Sequence, residues 1–73
     1  MSEGEFSVVE FYASGFHAYV ERWLDAESAV RLSKLLVDRN DARVAKIIIT
    51  DGGDNTVFCW ERGKGVTFPE RVT

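Results

Sequence analysis

The chain has 73 residues and a net charge of −3, from twelve acidic against nine basic side chains. That length holds one domain, and a core of that size supplies no more than about 3–5 kcal/mol, so a disulfide, a metal or a second subunit is a common supplement. The composition excludes several classes: the lone Cys59 cannot close an internal disulfide, the basic residues are scattered instead of clustered as a phosphate-binding surface requires, and no apolar run reaches the ~20 residues that cross a bilayer.

Hydrophobic residues make up 45% of the chain, enough for a folded core and too many for a disordered chain. The stretch MSEGEF is acidic and lacks the apolar segment of an export signal, and one unpaired cysteine suits a reducing compartment, so a cytoplasmic protein is expected.

Taken in order, residues 1–5 read as a frayed end, and Phe6–Tyr12 (FSVVEFY) reads as a strand. Ala13-Ser14-Gly15 is a turn signal, followed by a second strand over Phe16–Leu24. A two-residue turn at Ser14-Gly15 sets Tyr12 opposite His17, Glu10 opposite Tyr19, Val8 opposite Glu21 and Phe6 opposite Trp23. All eight then share one face, with Val9, Phe11, Ala18, Val20 and Leu24 on the other.

Asp25 is a suitable N-cap for a helix over Ala26–Arg39. Ala26, Ala29, Val30, Leu32, Leu36 and Val37 fall on one side at helical spacing, with Ser33 among them and Leu35 outside. Asn40-Asp41 ends the helix. KIIITDGGDNTVFCW, residues 46–60, is the strongest local signal: two β-branched and aromatic strands joined by a tight turn. A two- or four-residue connection puts Ala45, Ile47 and Ile49 with Phe58 and Trp60 on one face, and Lys46, Ile48, Val57 and Cys59 on the other. Gly63-Lys64-Gly65 breaks the pattern, Val66–Phe68 can add a short edge segment before Pro69, and residues 70–73 read as a tail. The expected fold is a single α+β domain over residues 1–73: two β-hairpins in an antiparallel sheet with one helix on one face, in the order β-β-α-β-β.

One helix covers one face of a sheet, yet both hairpins carry apolar residues on both faces. A large exposed apolar patch marks a contact surface, and two-fold homodimers are the commonest oligomers. The sequence therefore suggests a non-enzymatic interaction module, a homodimer or a partner-binding protein. Its contact is expected on the helix-free aromatic face, through Phe6, Tyr12, Tyr19 and Trp23 with Glu10, His17 and Glu21 around them. No cofactor, nucleic acid or membrane is expected.

The competing reading is a small-ligand or metal-binding domain. Asp51, Asp54 and Asn55 offer oxygen ligands to a cation, but DGGDN lacks EF-hand spacing and also suits a hairpin turn. His17 with Glu10 and Glu21 has the residue types for acid–base work but no nearby nucleophile. Cys59, with Lys46 as a possible neighbour, more often acts as a small apolar residue than as a reactive thiol. Phe6, Tyr12, Tyr19 and Trp23 could stack bases, although interleaved Glu10 and Glu21 would repel phosphate. Arg62-Gly63-Lys64-Gly65 is no P-loop and reads as a solvated turn.

Ile49–Pro69, ITDGGDNTVFCWERGKGVTFP, resembles the C-terminal half of short uncharacterised bacterial proteins sharing an ITDGGD–TVF–W–G–G–FP pattern. The shared positions are Ile49 to Asp54, Thr56 to Phe58, Trp60, Gly63, Gly65, Phe68 and Pro69. The resemblance implies a bacterial housekeeping or mobile-element protein and brings no catalytic residue with it.

Overall fold

A computed structural model describes residues 4–67. The tail positions 1–3 and 70–73, and Phe68 at the end of the expected edge segment, lie outside the described residues. The elements are β1 (Phe6–Tyr12), β2 (His17–Leu24), α1 (Ala26–Arg39), β3 (Val44–Thr50), β4 (Thr56–Glu61) and a short β5 (Gly65–Thr67). The strands form one antiparallel sheet in the order β2-β1-β3-β4-β5, so the fold is α+β with one helix.

The strand order dictates where the helix goes. β2 and β3 both run antiparallel to β1 and hence parallel to each other, and joining parallel strands needs a crossover. α1 is that crossover. At its start Asp25 has extended backbone and its Oδ1 accepts the Ser28 amide at 2.7 Å, which holds the Asp25 carboxyl below the usual carboxylate range. At its end Asn40 takes a left-handed conformation and donates its amide to the Val37 carbonyl. Between the caps, Ala29, Ser33 and Leu36 are buried, and Leu35 is exposed as its angular position requires. Small residues at positions 29 and 33 let the helix lie close over Val8, Ile47, Ile49 and Phe58, with Val44 completing the core.

The first hairpin departs from the expected register. Tyr12 donates its amide to the Phe16 carbonyl at 2.8 Å, and Gly15, at φ +100°, donates to the Tyr12 carbonyl at 2.9 Å. The connection is therefore Ala13-Ser14-Gly15, a three-residue loop with its last residue left-handed, instead of a two-residue turn. His17 faces Phe11, Ala18 faces Glu10 and Tyr19 faces Val9. A slip of one residue exchanges the two faces of β2. Ala18 and Val20 thus point with β1's core residues toward the helix, while His17 and Tyr19 point away. Two further irregularities each add a residue to β2, so Glu21 meets Val8 and Leu24 meets Phe6. Trp23, beside the second, has φ +62°.

The second hairpin uses the same loop plan in Gly52-Gly53-Asp54. The Asp51 amide donates to the Asn55 carbonyl, the Asp54 amide donates to the Asp51 carbonyl, and Asp54 has φ +63°. Here the odd loop is cancelled at once by a bulge between Ile49 and Thr50. The partners expected for a four-residue connection follow: Ile49 with Phe58, Ile48 with Cys59 and Ile47 with Trp60. Val57 falls in the bulge and packs against the core cluster instead of joining Cys59's row.

Arg62 fastens the far end of the helix to the sheet. Its guanidinium donates to the Val44 carbonyl (2.9 Å), the Asn40 Oδ1 (2.9 Å) and the Asp41 carbonyl (2.7 Å), and lies over the Trp60 ring. Arg62 is thus turned inward onto the α1–β3 connection, while Lys64, the other cation of this loop, stays exposed beside Glu61. Arg62→Ala should lower stability by about 1–2 kcal/mol in urea denaturation, and Arg62→Lys should recover little, because an ammonium cannot span three acceptors. Ser33 is fully buried and its Oγ has no hydrogen-bond partner. Ser33→Ala removes a buried unpaired hydroxyl and raises helix propensity, so the denaturation midpoint should rise, by about 1 kcal/mol of stability.

Candidate functional site: the helix-free face of the sheet

The strand pairing arranges the face away from α1 in rows across the sheet. One row runs His17, Phe11, Lys46, Glu61, Gly65; the next runs Tyr19, Val9, Ile48, Cys59, Thr67; Ser7 and Thr50 begin a third. The first row is mixed in charge and the third carries hydroxyls. The middle row is almost wholly apolar. Val9 is 2% exposed and lies outside the helix-side cluster.

Cations already occupy the aromatic rings here. His17 stacks on Phe11 at 5.3 Å, the Lys46 ammonium lies 5.0 Å from the same ring, and the Arg22 guanidinium lies within 4.9 Å of the Tyr19 ring and 5.4 Å of the Trp23 ring. Glu61 sits within the same surface.

The seven residues expected to share one contact face are divided. Phe6 and Tyr12 pack beside the core under the helix, and Glu10 is 5% exposed there. His17 and Tyr19 are on the helix-free face, and Trp23 joins them through Arg22. Glu21 is exposed in the bulge opposite Val8. His17 and Glu10 occupy opposite sides of the sheet, so the imagined acid–base cluster is not assembled. Cys59 faces Ile48, and Lys46 pairs across the strands with Glu61 instead.

Glu10 and Tyr12, expected at the contact face, instead join Arg39, Asp41 and Arg43, which the sequence did not single out, in an ionic cleft at the C-terminal end of the helix. Glu10, buried in the sheet, accepts Arg39 Nη2 at 2.9 Å and the Tyr12 hydroxyl at 3.0 Å. Nearby, Arg43 donates Nε and Nη2 to the two Asp41 carboxylate oxygens at 3.1 and 2.8 Å, and its amide reaches the same group at 3.0 Å. These bonds hold the Asp41 carboxyl well below the usual carboxylate range and raise the Arg43 guanidinium above its own. With Ala13 and Ser14 these groups line an open cleft of roughly 560 Å³. Each carboxylate there is paired with a guanidinium, an arrangement that ties loops together and leaves no net charge for a ligand.

At the DGGDN turn, Asp51 Oδ1 accepts the amides of Gly53 (2.9 Å) and Asn55 (3.0 Å), the geometry of an Asx turn. Among the described residues no group of three or more His, Cys, Asp or Glu side chains could hold a metal ion. No family model matches the chain, and neither the curated proteins nor the solved structures contain a significant match.

The hydrogen bond to Glu10, with desolvation and the Glu10 charge adding to it, raises the Tyr12 phenol above its ordinary value of 10.0. The chain has two tyrosines, so in a Tyr19→Phe protein absorbance at 295 nm reports Tyr12 alone. Its ionisation should fall above the ordinary value, and Glu10→Gln should bring it back toward it. Because the folded state favours the neutral phenol, this contribution to stability is intact below the unfolded pKa and disappears as pH rises through the folded one. An unshifted titration would contradict the bond.

Proposed function

We propose that the protein is a non-enzymatic interaction module acting as a homodimer, with the helix-free sheet face buried between two copies. One observation carries this reading: the row Tyr19–Val9–Ile48–Cys59 crosses the sheet on the side that faces away from α1, with no helix over it among the described residues. The sheet edges add to it. β2 is broken by two irregularities and β5 is only three residues long, so neither edge presents a regular ladder for another chain to extend. Association through the flat face remains the favourable route.

The resemblance of Ile49–Pro69 to short bacterial proteins and the single unpaired cysteine support placing this module in a bacterial cytoplasm. Among the described residues no helix is long and apolar enough to cross a membrane.

Sedimentation equilibrium of the full chain at micromolar concentration should return twice the chain mass. Ile48→Glu, which sets a carboxylate in the middle of the apolar row, should return the chain mass with its circular dichroism spectrum retained; Tyr19→Glu on the edge strand repeats the test at a position that strains the fold less. A wild-type protein at the chain mass over the whole range overturns the reading.

A further inference from the structure

We infer that Trp23 is the anchor residue of the contact between two copies, an inference that rests on the homodimer proposed above and specifies its decisive side chain. Among the described residues Trp23 is the aromatic residue with a positive φ. Its backbone lies at φ +62°, the left-handed region that glycine favours and large L side chains avoid, and its side chain is 72% exposed. The bulge to which this backbone belongs turns Leu24 onto the core but leaves the indole in water, and such outliers gather at functional sites. Arg22 lies against both Trp23 and Tyr19, grouping the three residue types most enriched among binding hot spots.

The size of the face calls for this residue. Four strands some 20 Å long and a three-residue fifth, about 4.8 Å apart, give a projected footprint on the order of 400 Å², small beside the about 800 Å² of accessible surface that each partner gives a standard interface. The flat rows alone fall short. An exposed aromatic residue at the rim adds to that footprint, since each buries about 150–250 Å², and Trp23 (72% exposed) stands near the end of β2.

A second copy fits by symmetry. A two-fold axis along the apolar row sets that row on its counterpart and lays each charged row over the partner's Ser7–Thr50 row. It also brings Trp23 of one copy over the Phe16–His17 end of β2 in the other. An axis along the strands through β3 would instead set Lys46 on Lys46, a repulsion that the first arrangement avoids.

Trp23→Gly and Trp23→Asn both suit a left-handed backbone, so the fold should be kept and its melting temperature at high dilution should hold or rise. The dimer dissociation constant, read by sedimentation over a concentration series, should increase at least tenfold in both. Wild-type affinity in both variants, beside a monomeric Ile48→Glu protein, overturns the role of Trp23 while leaving the homodimer standing. A wild-type chain that never associates overturns both. A lowered melting temperature matched by unchanged affinity would mark Trp23 as a folding residue and also overturn the inference.

Discussion

Two strands that point the same way with a third between them cannot be joined by a turn, and this requirement organises the molecule. β2 and β3 flank β1, so the chain must travel the length of the sheet to pass from one to the other. A helix of 14 residues, at 1.5 Å per residue, covers about 21 Å, close to the length of a seven-residue strand. The helix therefore lies over β1 and β3 and closes one face. No second crossover follows, because β3, β4 and β5 are joined by short turns in an antiparallel run. The other face is left to the side chains of the sheet and to whatever packs on it.

The crossover is fastened at both ends by different chemistry. At its start the Asp25 carboxylate caps the first turn, and Leu24 is held opposite Phe6. At its end Arg39 reaches the buried Glu10, while Arg62 gathers carbonyls from the following loop and from β3. A buried carboxylate paired with a half-exposed guanidinium is weak as a source of stability, because desolvation opposes the attraction. Its geometry is specific, however, and it fixes the helix's end against one position of β1. The ionic cleft is thus a seam of the fold.

Most of this architecture was readable from the residues. The limits of β1 and of the helix, the cap at Asp25 and the exposed Leu35 all follow from periodicity and capping chemistry. The parity of the first turn was not readable, since Ala13-Ser14-Gly15 suits a two- or a three-residue loop equally well, and one residue exchanges the faces of a whole strand. In the second hairpin an adjacent bulge absorbed the same ambiguity. The burial of Glu10 was hidden for a different reason: its partner Arg39 lies 29 residues away, and no local pattern links them. Phe6, Glu10 and Tyr12 thus lie beneath the helix, and His17, Tyr19 and Trp23 lie on the other face.

The central claim is that the uncovered face meets its own copy. The most direct test is an isotope-filtered NOE experiment on an equal mixture of carbon-13-labelled and unlabelled chains, which detects only contacts between copies. Cross-peaks confined to Val9, Tyr19, Ile48 and the rings at the ends of β2 are the expected result. Cross-peaks from the exposed side of α1, or none at concentrations where the chain is fully folded, would contradict it.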